Sequence, residues 1–249
     1  MRIENSFIQI PGIGEKTEKK LWKDGITRWS DIEDTDSISE RKQKRATRFI
    51  KKARKNLEVN NTPFFRSEFD SQHFWRMYRN FEERACFFDI ETTGLDRKKN
   101  RVTTVSFHMG DSTETLVAGE DLDQDNLREI FHEADIFVSF NGKRFDQPFL
   151  EHNFNVSMDK PHIDLMYPAR RIGLSGGLKK IEKQLGIERE LEDLDGREAV
   201  RLWKEYEKGD QESLEKLVKY NRYDTRNLRE LLEHVHERLD SKVFRPHLD

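Results

Sequence analysis

Two acidic side chains at the end of a buried segment are the first residues whose types and spacing could do chemistry. The apolar run Ala85–Phe88 has the composition of a strand buried on both faces, and Asp89, Ile90 and Glu91 follow it directly. Because alternate residues of a strand point the same way, Asp89 and Glu91 share a face. Neighbouring carboxylates that lose water repel each other, and a bound divalent cation would relieve both costs. A pair of solvated acids at a strand end fits this stretch equally well.

A third acid, Asp146, follows another short apolar run. Ile136–Phe140 is predicted to be a buried strand, and residues 141–150 predict a turn that opens a helix. If this strand lies beside Ala85–Phe88, the ends of both strands converge on one crevice, the usual place for sites in α/β sheets. Asp146 also lies just before Pro148, which suits a helix N-cap, so both roles stay open.

The last predicted helix carries an acid and a phenol on the face that points to the core. Its inward stripe consists of Leu228, Leu231, Leu232, Val235 and Leu239. Extended backward in steps of four, this stripe reaches Asp224 and then Tyr220. A carboxylate on a buried face needs a partner, which is either an arginine of the same chain or a metal ion held by Asp89 and Glu91.

The composition excludes several classes of protein. Charged residues make up 37% of the 249 residues, but 17 phenylalanines supply a real core, so we do not expect a disordered chain. The net charge of -3 excludes a uniformly basic nucleic-acid binder, although not a local basic patch. The single cysteine, Cys86, excludes an intrachain disulfide and a cysteine-rich zinc site. The amino terminus has no signal-peptide core and no apolar run reaches the ~18 residues of a membrane span, so we expect a soluble cytoplasmic protein.

Residues 1–60 are predicted to form a small all-α domain. Pro11-Gly12-Ile13-Gly14, the helical pattern after it and Gly25-Ile26 resemble a helix-hairpin-helix motif. Glycines on both sides of Ile13 leave backbone N–H groups uncovered before a helix N-terminus, which attracts phosphate without distinguishing bases. The side chains that would add positive charge to this nucleic-acid contact are Lys16, Lys19 and Lys20. A helical hairpin that serves only in packing is the alternative.

Residues 41–55 are predicted to form an amphipathic basic helix. They hold nine lysines and arginines and no acid, while Ala46, Phe49, Ile50 and Ala53 recur at helical spacing. Such a charge run is usually only a solvated face. Beside a hairpin motif, it favours a wider positive surface for nucleic acid. A calmodulin-type or membrane-surface helix has weaker support, because the apolar stripe is narrow.

The remaining sequence predicts a connector and a larger domain. Residues 61–84 are rich in aromatic side chains and are expected to form a connector packed onto the second domain, residues 85–249. In that domain three strands are followed by helix–strand–helix–strand and then by helices. This order predicts an α/β fold with a mixed sheet flanked by helices, in which the first three strands are antiparallel.

Three motifs of this domain resemble the exonuclease motifs of the DEDD exonucleases in the ribonuclease H-like superfamily. They are Asp89-Ile90-Glu91, Asn141 to Asp146, and Tyr220-x-x-x-Asp224. The tyrosine resembles the DEDDy subclass found in proofreading domains of family B DNA polymerases, whereas the histidine subclass would have His in place of Lys219. Over residues 85–240 the chain looks closest to the bacterial and archaeal YprB-like ribonuclease H-like proteins. The segments that carry this last resemblance are Gly177-Leu178-Lys179-Lys180 and Tyr220-Asn221-Arg222-Tyr223-Asp224-Thr225.

The resemblance implies a ribonuclease H-like fold and a metal site. Four acids would hold two divalent ions, Mg²⁺ or Mn²⁺, which suit an all-oxygen ligand set. These acids are Asp89, Glu91, Asp146 and Asp224. Tyr220, a poor base at neutral pH, would orient the attacking water. Asp164, at the end of a further predicted strand, competes with Asp146 as a ligand, but the Asn-x-x-x-Phe-Asp context favours Asp146.

The resemblance also implies contacts to nucleic acid near the metal site. Leu95 would wedge against terminal bases, and Thr92 and Thr93 would lie near the 3′-terminal nucleotide. Asn141, which opens the second motif, would also contact the nucleic acid. Leu95 and the two threonines are equally ordinary as residues at a strand end.

The sequence therefore leads us to expect a metal-dependent 3′–5′ exonuclease that acts on DNA, chiefly on single-stranded ends. The hairpin motif and the basic helix would hold the nucleic-acid backbone without sequence preference. Two alternatives stay open: a nuclease of the same fold that takes RNA or cuts internally, and a nucleic-acid-binding module with an idle site. The presence of all four acids and the tyrosine argues against the idle module.

Overall fold

The protein is described by a computed structural model over residues 1–189 and 194–248. The strands are β1 (Ala85–Thr92), β2 (Val102–Met109), β3 (Ser112–Val117), β4 (Ile136–Ser139) and β5 (His162–Asp164). They form one sheet in the order β3-β2-β1-β4-β5. β1, β2 and β3 pair antiparallel, whereas β4 pairs parallel with both β1 and β5. The predicted mixed sheet is therefore confirmed.

Helices precede, interrupt and follow the sheet. Those before it are α1 (Glu15–Lys23), α2 (Glu40–Glu58), α3 (Thr62–Glu68) and α4 (Tyr78–Phe81). The later ones are α5 (Gln124–Glu133), α6 (Asp146–Phe154), α7 (Met166–Arg171), α8 (Leu178–Leu185), α9 (Gly196–Tyr206) and α10 (Gln211–Val243). Short 3-10 helices lie at Ile3–Asn5, Trp29–Asp34, Ser71–Met77, Glu82–Arg84 and Arg245–His247. Among the helices of the described ranges, none combines the length and the apolar character that a membrane span requires.

Both faces of β1 are covered by helices. Ala85 and Phe87 pack in one apolar cluster with leucines of α10, whereas Phe88 packs in a second cluster with residues of α5 and α6. Because successive side chains of a strand point to opposite faces, this position needs a continuous apolar run. Asp89 and Glu91 continue the row of Ala85 and Phe87, so they lie on the face toward α10.

The longest helix, α10, spans 33 residues and carries the predicted inward stripe. All five apolar residues of that stripe are buried. Asp224 and Tyr220 are buried on the same helix, so the stripe does continue backward into an acid and a phenol. The helix thus delivers two polar side chains to the face of the sheet on which Asp89 and Glu91 lie.

The N-terminal helices share a core with α10. The cluster that contains Ala85 also includes apolar residues of α1, α2 and the aromatic connector, so the predicted packing of the connector is confirmed. The ring of Trp22 meets that of Phe244 edge to face at 5.3 Å. The division of the chain into residues 1–60, 61–84 and 85–249 stays a prediction.

Candidate active site

The end of β1 and the middle of α10 bring three carboxylates together. Asp89 and Glu91 lie on the part of β1 that runs beside β2, where Asp89 is opposite Ser106. Asp224 of α10 packs over this part of the strand. Carboxylate oxygens of Asp89, Glu91 and Asp224 all lie within 4.8 Å of one another. The strand therefore supplies two acids of the cluster, and the helix supplies the third.

Asn221 fixes the first of these acids and was not predicted as a site residue. Its Nδ2 donates to Oδ2 of Asp89 at 2.8 Å and to the backbone oxygen of Asp89 at 3.2 Å. Its Oδ1 accepts the hydroxyl of Thr104 at 3.1 Å. The side chain is fully buried. A sequence signal was present, because Asn221 is a polar residue beside Tyr220 on the inward face of a helix.

Asp146 follows β4, the neighbour of β1 in the sheet, and is hydrogen-bonded to β1 between Asp89 and Glu91. Its Oδ1 accepts the backbone N–H of Ile90 at 3.2 Å. Asp146 is the first residue of α6, and the N-cap position belongs to Phe145, so the N-cap interpretation of Asp146 is wrong. The loop before it passes very close to β4: a Cβ on Gly142 would lie 2.2 Å from Oγ of Ser139. The predicted convergence of the β1 and β4 ends is confirmed.

Asp164, the alternative to Asp146 as a predicted metal ligand, is hydrogen-bonded to the loop that leads to Asp146. Its carboxylate accepts the backbone N–H groups of Asn141 at 2.7 Å and of Lys143 and Met166 at 3.2 Å. Burial raises the pKa of Asp164, while these hydrogen bonds oppose the rise. Asn141 has a positive φ of 64°, a backbone conformation that asparagine tolerates better than most residues. Asp164 and Asn141 therefore shape the loop that positions Asp146.

Burial raises the pKa of every acid in the cluster. The pKa values of Asp89 and Glu91 are raised well above their usual range, first by burial and then by repulsion from the neighbouring carboxylates. Burial raises the pKa of Asp146 to about 7. It also raises the pKa of Asp224, although Arg189 opposes the rise. Without a cation, burial and mutual repulsion therefore make these carboxylates hold protons more strongly than exposed carboxylates do.

The cluster fits a divalent metal ion. Its donors are carboxylate oxygens, the ligands that Mg²⁺ and Mn²⁺ prefer. Three of them already lie within reach of one ion, and the fourth, Asp146, is tied to the same strand. A divalent cation would also remove the repulsion that raises the pKa values of these acids.

Asp224 has a cationic partner in the chain itself. Nη2 of Arg189 forms an ion pair with Oδ1 of Asp224, and Nη1 forms a second one with the buried carboxylate of Glu182. The arginine that the sequence left open as a partner for Asp224 is therefore present. It could not be named in advance, because Arg189 lies after α8 in a segment without periodicity.

Tyr220 lies between the acids and two cationic side chains. Nζ of Lys179 is 5.2 Å and Cζ of Arg189 is 5.8 Å from the centre of its ring. Burial, and then the negative charges of Asp224 and Glu91, raise the pKa of Tyr220. The phenol is therefore protonated at neutral pH and can donate a hydrogen bond.

The predicted contacts Thr92, Thr93 and Leu95 lie at the end of β1 and in the loop after it. The hydroxyl of Thr92 donates to the backbone oxygen of Gly94 at 2.8 Å, and that of Thr93 donates to Oδ1 of Asn100 at 3.2 Å. Leu95 is 86% exposed. The two hydroxyls thus hold the loop, and the loop presents the apolar side chain of Leu95 to solvent.

The predicted hairpin contacts are not part of the acid cluster. Gly12, Gly14, Lys16, Lys19 and Lys20 are exposed, whereas Ile13 is buried. The backbone N–H of Ile13 donates to the oxygen of Ile10 at 2.9 Å, so this donor is used within the turn, and the proposed phosphate contact of the neighbouring N–H groups stays a prediction. The segment before α1 contains the 3-10 helix Ile3–Asn5 and turns, and the helix-hairpin-helix assignment stays a prediction.

Comparison with known proteins identifies the family. The family model described as RNase_H superfamily matches residues 86–236, which include β1, α6 and the acid-bearing part of α10. The chain belongs to the RNase H superfamily. Its mixed five-stranded sheet flanked by helices agrees with this superfamily, and the predicted fold class is confirmed. No curated protein matches the sequence.

Solved structures similar to this RNase H superfamily member include nucleases and a polymerase. One is described as the apo form of a nuclease (21% identity, TM-score 0.49, covering 66% of this chain and 77% of that one). Another is Brucella melitensis NrnC with bound Mg²⁺ (23% identity, TM-score 0.49, 69% and 81%). A third is the family B DNA polymerase of the hyperthermophilic archaeon Pyrobaculum calidifontis (16% identity, TM-score 0.47, 64% and 29%).

Proposed function

We propose that this RNase H superfamily member is a two-metal-ion 3′–5′ exonuclease of the DEDDy type that hydrolyses phosphodiester bonds of DNA, chiefly at single-stranded ends. The observation that carries the proposal is the buried cluster of Asp89, Glu91 and Asp224, with Asp146 tied to the same strand through Ile90. A buried all-carboxylate site has a large electrostatic cost in the absence of a cation. This cost is understandable if the site exists to bind metal ions.

Each member of the cluster has a separate role in the proposed reaction. The four acids would hold two Mg²⁺ or Mn²⁺ ions, which when bound supply positive charge to the attacking water and to the leaving 3′ oxygen. Asn221 keeps the Asp89 carboxylate in one orientation. Tyr220 carries a proton on its hydroxyl, so it orients the water or the phosphate by donating a hydrogen bond and does not act as a base.

The loop after β1 is proposed to meet the end of the strand that is degraded. Leu95 is an exposed apolar side chain in the loop that follows the acid-bearing end of β1, which suits a wedge against terminal bases. Thr92 and Thr93 hold this loop through their hydroxyl groups. Asn141, on the opposite loop, is proposed to contact the nucleic acid from the side of Asp146.

The proposed nucleic-acid surface joins the hairpin and α2. Nη1 of Arg45 lies 3.5 Å from the backbone oxygen of Pro11 and 3.0 Å from the position of a Cβ on Gly12. The exposed lysines of α1 and the exposed basic face of α2 therefore form one positive surface. Such a surface attracts the phosphate backbone without reading the bases.

The test is a time course on a 5′-labelled single-stranded DNA with Mg²⁺, with Mn²⁺ and with chelator. Wild type is compared with Asp89→Asn, which removes a charge but keeps the shape, and with Asp125→Asn, a matched change at an exposed acid on α5. We expect a metal-dependent ladder that shortens from the 3′ end in wild type and Asp125→Asn and is absent in Asp89→Asn.

Other outcomes would revise the proposal in defined ways. Immediate release of very short labelled products would contradict the 3′–5′ direction and favour internal cleavage or attack from the 5′ end. Degradation of RNA but not of DNA with the same sequence would reassign the substrate. A lack of cleavage of either polymer with both metals would favour the binding module with an idle site.

A further inference from the structure

Arg189 is a buried arginine that forms ion pairs with two acids, Asp224 of the cluster and Glu182 of α8. Its side chain is 6% exposed. One guanidinium nitrogen pairs with Asp224, and another pairs with Glu182 of α8, which is fully buried. Glu182 is fixed in turn by Nδ2 of Asn227, one helical turn beyond Asp224, at 3.0 Å. The guanidinium therefore bridges α8 and α10 at the edge of the site.

The charges around Arg189 make it the internal counter-ion of the cluster. A buried carboxylate without a partner costs several kcal/mol, and a guanidinium fork is suited to two carboxylates at once. Nε of Arg189 is buried without a hydrogen-bond partner among the described residues. Arg189 is therefore held by its charge contacts with Asp224 and Glu182.

The contact between Arg189 and Asp224 conflicts with metal binding. Asp224 is the third carboxylate of the cluster, and its Oδ1 is paired with Arg189. The positive guanidinium partly neutralises this oxygen, so the oxygen attracts a metal ion less strongly. A guanidinium beside the site also repels a divalent cation. Metal binding thus competes with the ion pair, while Glu182 retains the arginine near the site.

We propose that Arg189 is a positioning residue that substitutes for a metal ion at Asp224 and lowers the affinity of the site for divalent cations. This inference rests on the proposed metal-dependent function. In the metal-free protein, Arg189 stabilises Asp224. When a metal ion binds, Arg189 gives up this contact and stays paired with Glu182.

The test is a Mn²⁺ titration of the double variant Glu182→Gln/Arg189→Gln by isothermal titration calorimetry. The double change removes one positive and one negative charge, so it keeps the net charge and leaves no unpaired buried Glu182. The matched control is Arg79→Gln/Glu233→Gln, which removes a half-buried ion pair that also involves α10. We expect the Kd for Mn²⁺ to fall about tenfold or more in the test variant and to stay unchanged in the control. The Mn²⁺-induced rise in melting temperature is expected to be larger in the test variant, because its metal-free state has lost the counter-ion.

The Kd of the double variant tests the role of Arg189, and Mn²⁺ binding by wild type tests the metal site itself. An unchanged or higher Kd in the double variant would overturn the role of Arg189 and leave the proposed nuclease function intact, because wild type would still bind Mn²⁺. A lack of Mn²⁺ binding by wild type would overturn both proposals.

If the double variant does not fold, arginine Nε–Hε signals of wild type give the same information by NMR. The signal missing from Arg189→Lys identifies Arg189; it is expected to shift on addition of Mg²⁺, and a signal that does not move would contradict the inference.

Discussion

The buried acids Asp89, Glu91, Asp146 and Asp224 have pKa values that depend on folding. Burial raises the pKa of Asp146 to about 7, whereas an exposed aspartate in the unfolded chain has a pKa of about 3.9. Between these two values the folded state binds more protons than the unfolded state. The free energy of unfolding of the metal-free protein therefore falls as pH rises through this window. The raised pKa values of Asp89, Glu91 and Asp224 act with the same sign.

We expect the metal-free protein to lose about 1 kcal/mol or more of stability between pH 6.5 and 8.0. Urea unfolding in chelator at the two pH values measures the loss. Buried histidines have lowered pKa values and act in the opposite direction until the unfolded chain has lost its imidazole protons, about one pH unit above its imidazole pKa of about 6.5. Wild type and Asp146→Asn share this contribution, so the difference between them isolates the acid. Saturating Mn²⁺ should abolish the loss, and Asp146→Asn should reduce it. An equal change in stability in wild type and Asp146→Asn would contradict the raised pKa of Asp146.

Sequence periodicity identified three acids of the cluster but not the side chains that contact them. Asp89 and Glu91 follow from the two-residue period of a strand, and Asp224 follows from an inward helical stripe. Arg189 was not predictable, because it lies outside any periodic element and its partners are distant in sequence. Asn221 was within reach of the same stripe argument, but only the folded chain brings it to Asp89.

The loop between β4 and α6 depends on one glycine. A Cβ on Gly142 would lie 2.2 Å from Oγ and 2.7 Å from Cβ of Ser139, and 3.4 Å from Oδ2 of Asp146. The short loop was predicted from the sequence as a turn, but this close approach requires the path of the folded chain. The glycine thus allows β4 to end against the residue that starts the next helix.

We expect Gly142→Ala to destabilise the protein by ~1–3 kcal/mol and to weaken Mn²⁺ binding, because the loop must move away from Ser139 and take Asp146 with it. Urea unfolding and calorimetric titration measure the two effects. Gly196→Ala is the matched control, since a Cβ there meets nothing within 4 Å. A Gly142→Ala protein with wild-type stability and metal affinity would show that the loop adapts without cost.

The basic helix α2 combines a buried stripe with an exposed charged face. Its apolar residues Ala46, Phe49, Ile50 and Ala53 pack in the core as the sequence predicted. Arg41, Lys44, Arg45 and Arg48 line a concave surface on the outer side. Periodicity was sufficient to predict this helix, because both faces follow one 3.6-residue pattern.

We expect Arg41→Gln/Lys44→Gln/Arg48→Gln to weaken binding of single-stranded DNA and to reduce the slope of log affinity against log salt by up to about 2. Fluorescence anisotropy in chelator measures binding without cleavage. The matched control is Lys204→Gln/Lys208→Gln/Lys216→Gln, which removes the same charge from exposed positions of α9, α10 and the turn between them. Equal losses in both triple variants would show that net charge, and not this surface, determines binding.

The shared core joins the N-terminal helices to the helix that carries Asp224. Trp22 packs against Phe244, just after α10, and the amino terminus lies 3.1 Å from the carboxylate of Asp240. The sequence predicted the connector as a packed segment, yet it separated residues 1–60 as a domain because their composition and motif differ from the rest. Contacts between the two ends of the chain carry no local sequence signal, so this joint core became visible only in the structure.

We expect the protein to unfold in a single transition, in which tryptophan fluorescence and far-UV circular dichroism give the same midpoint. Fluorescence chiefly follows Trp22, Trp29 and Trp75 in the N-terminal half, while circular dichroism is dominated by helices such as α10. Because these parts share one buried cluster, Mn²⁺ bound at Asp89 and Asp224 should raise both midpoints equally, and Asp89→Asn should abolish both shifts. A fluorescence midpoint that does not change on addition of Mn²⁺ would mean that residues 1–60 unfold as an independent domain. In that case residues 1–60 would act as a tethered binding module, and their removal would leave the acid cluster intact.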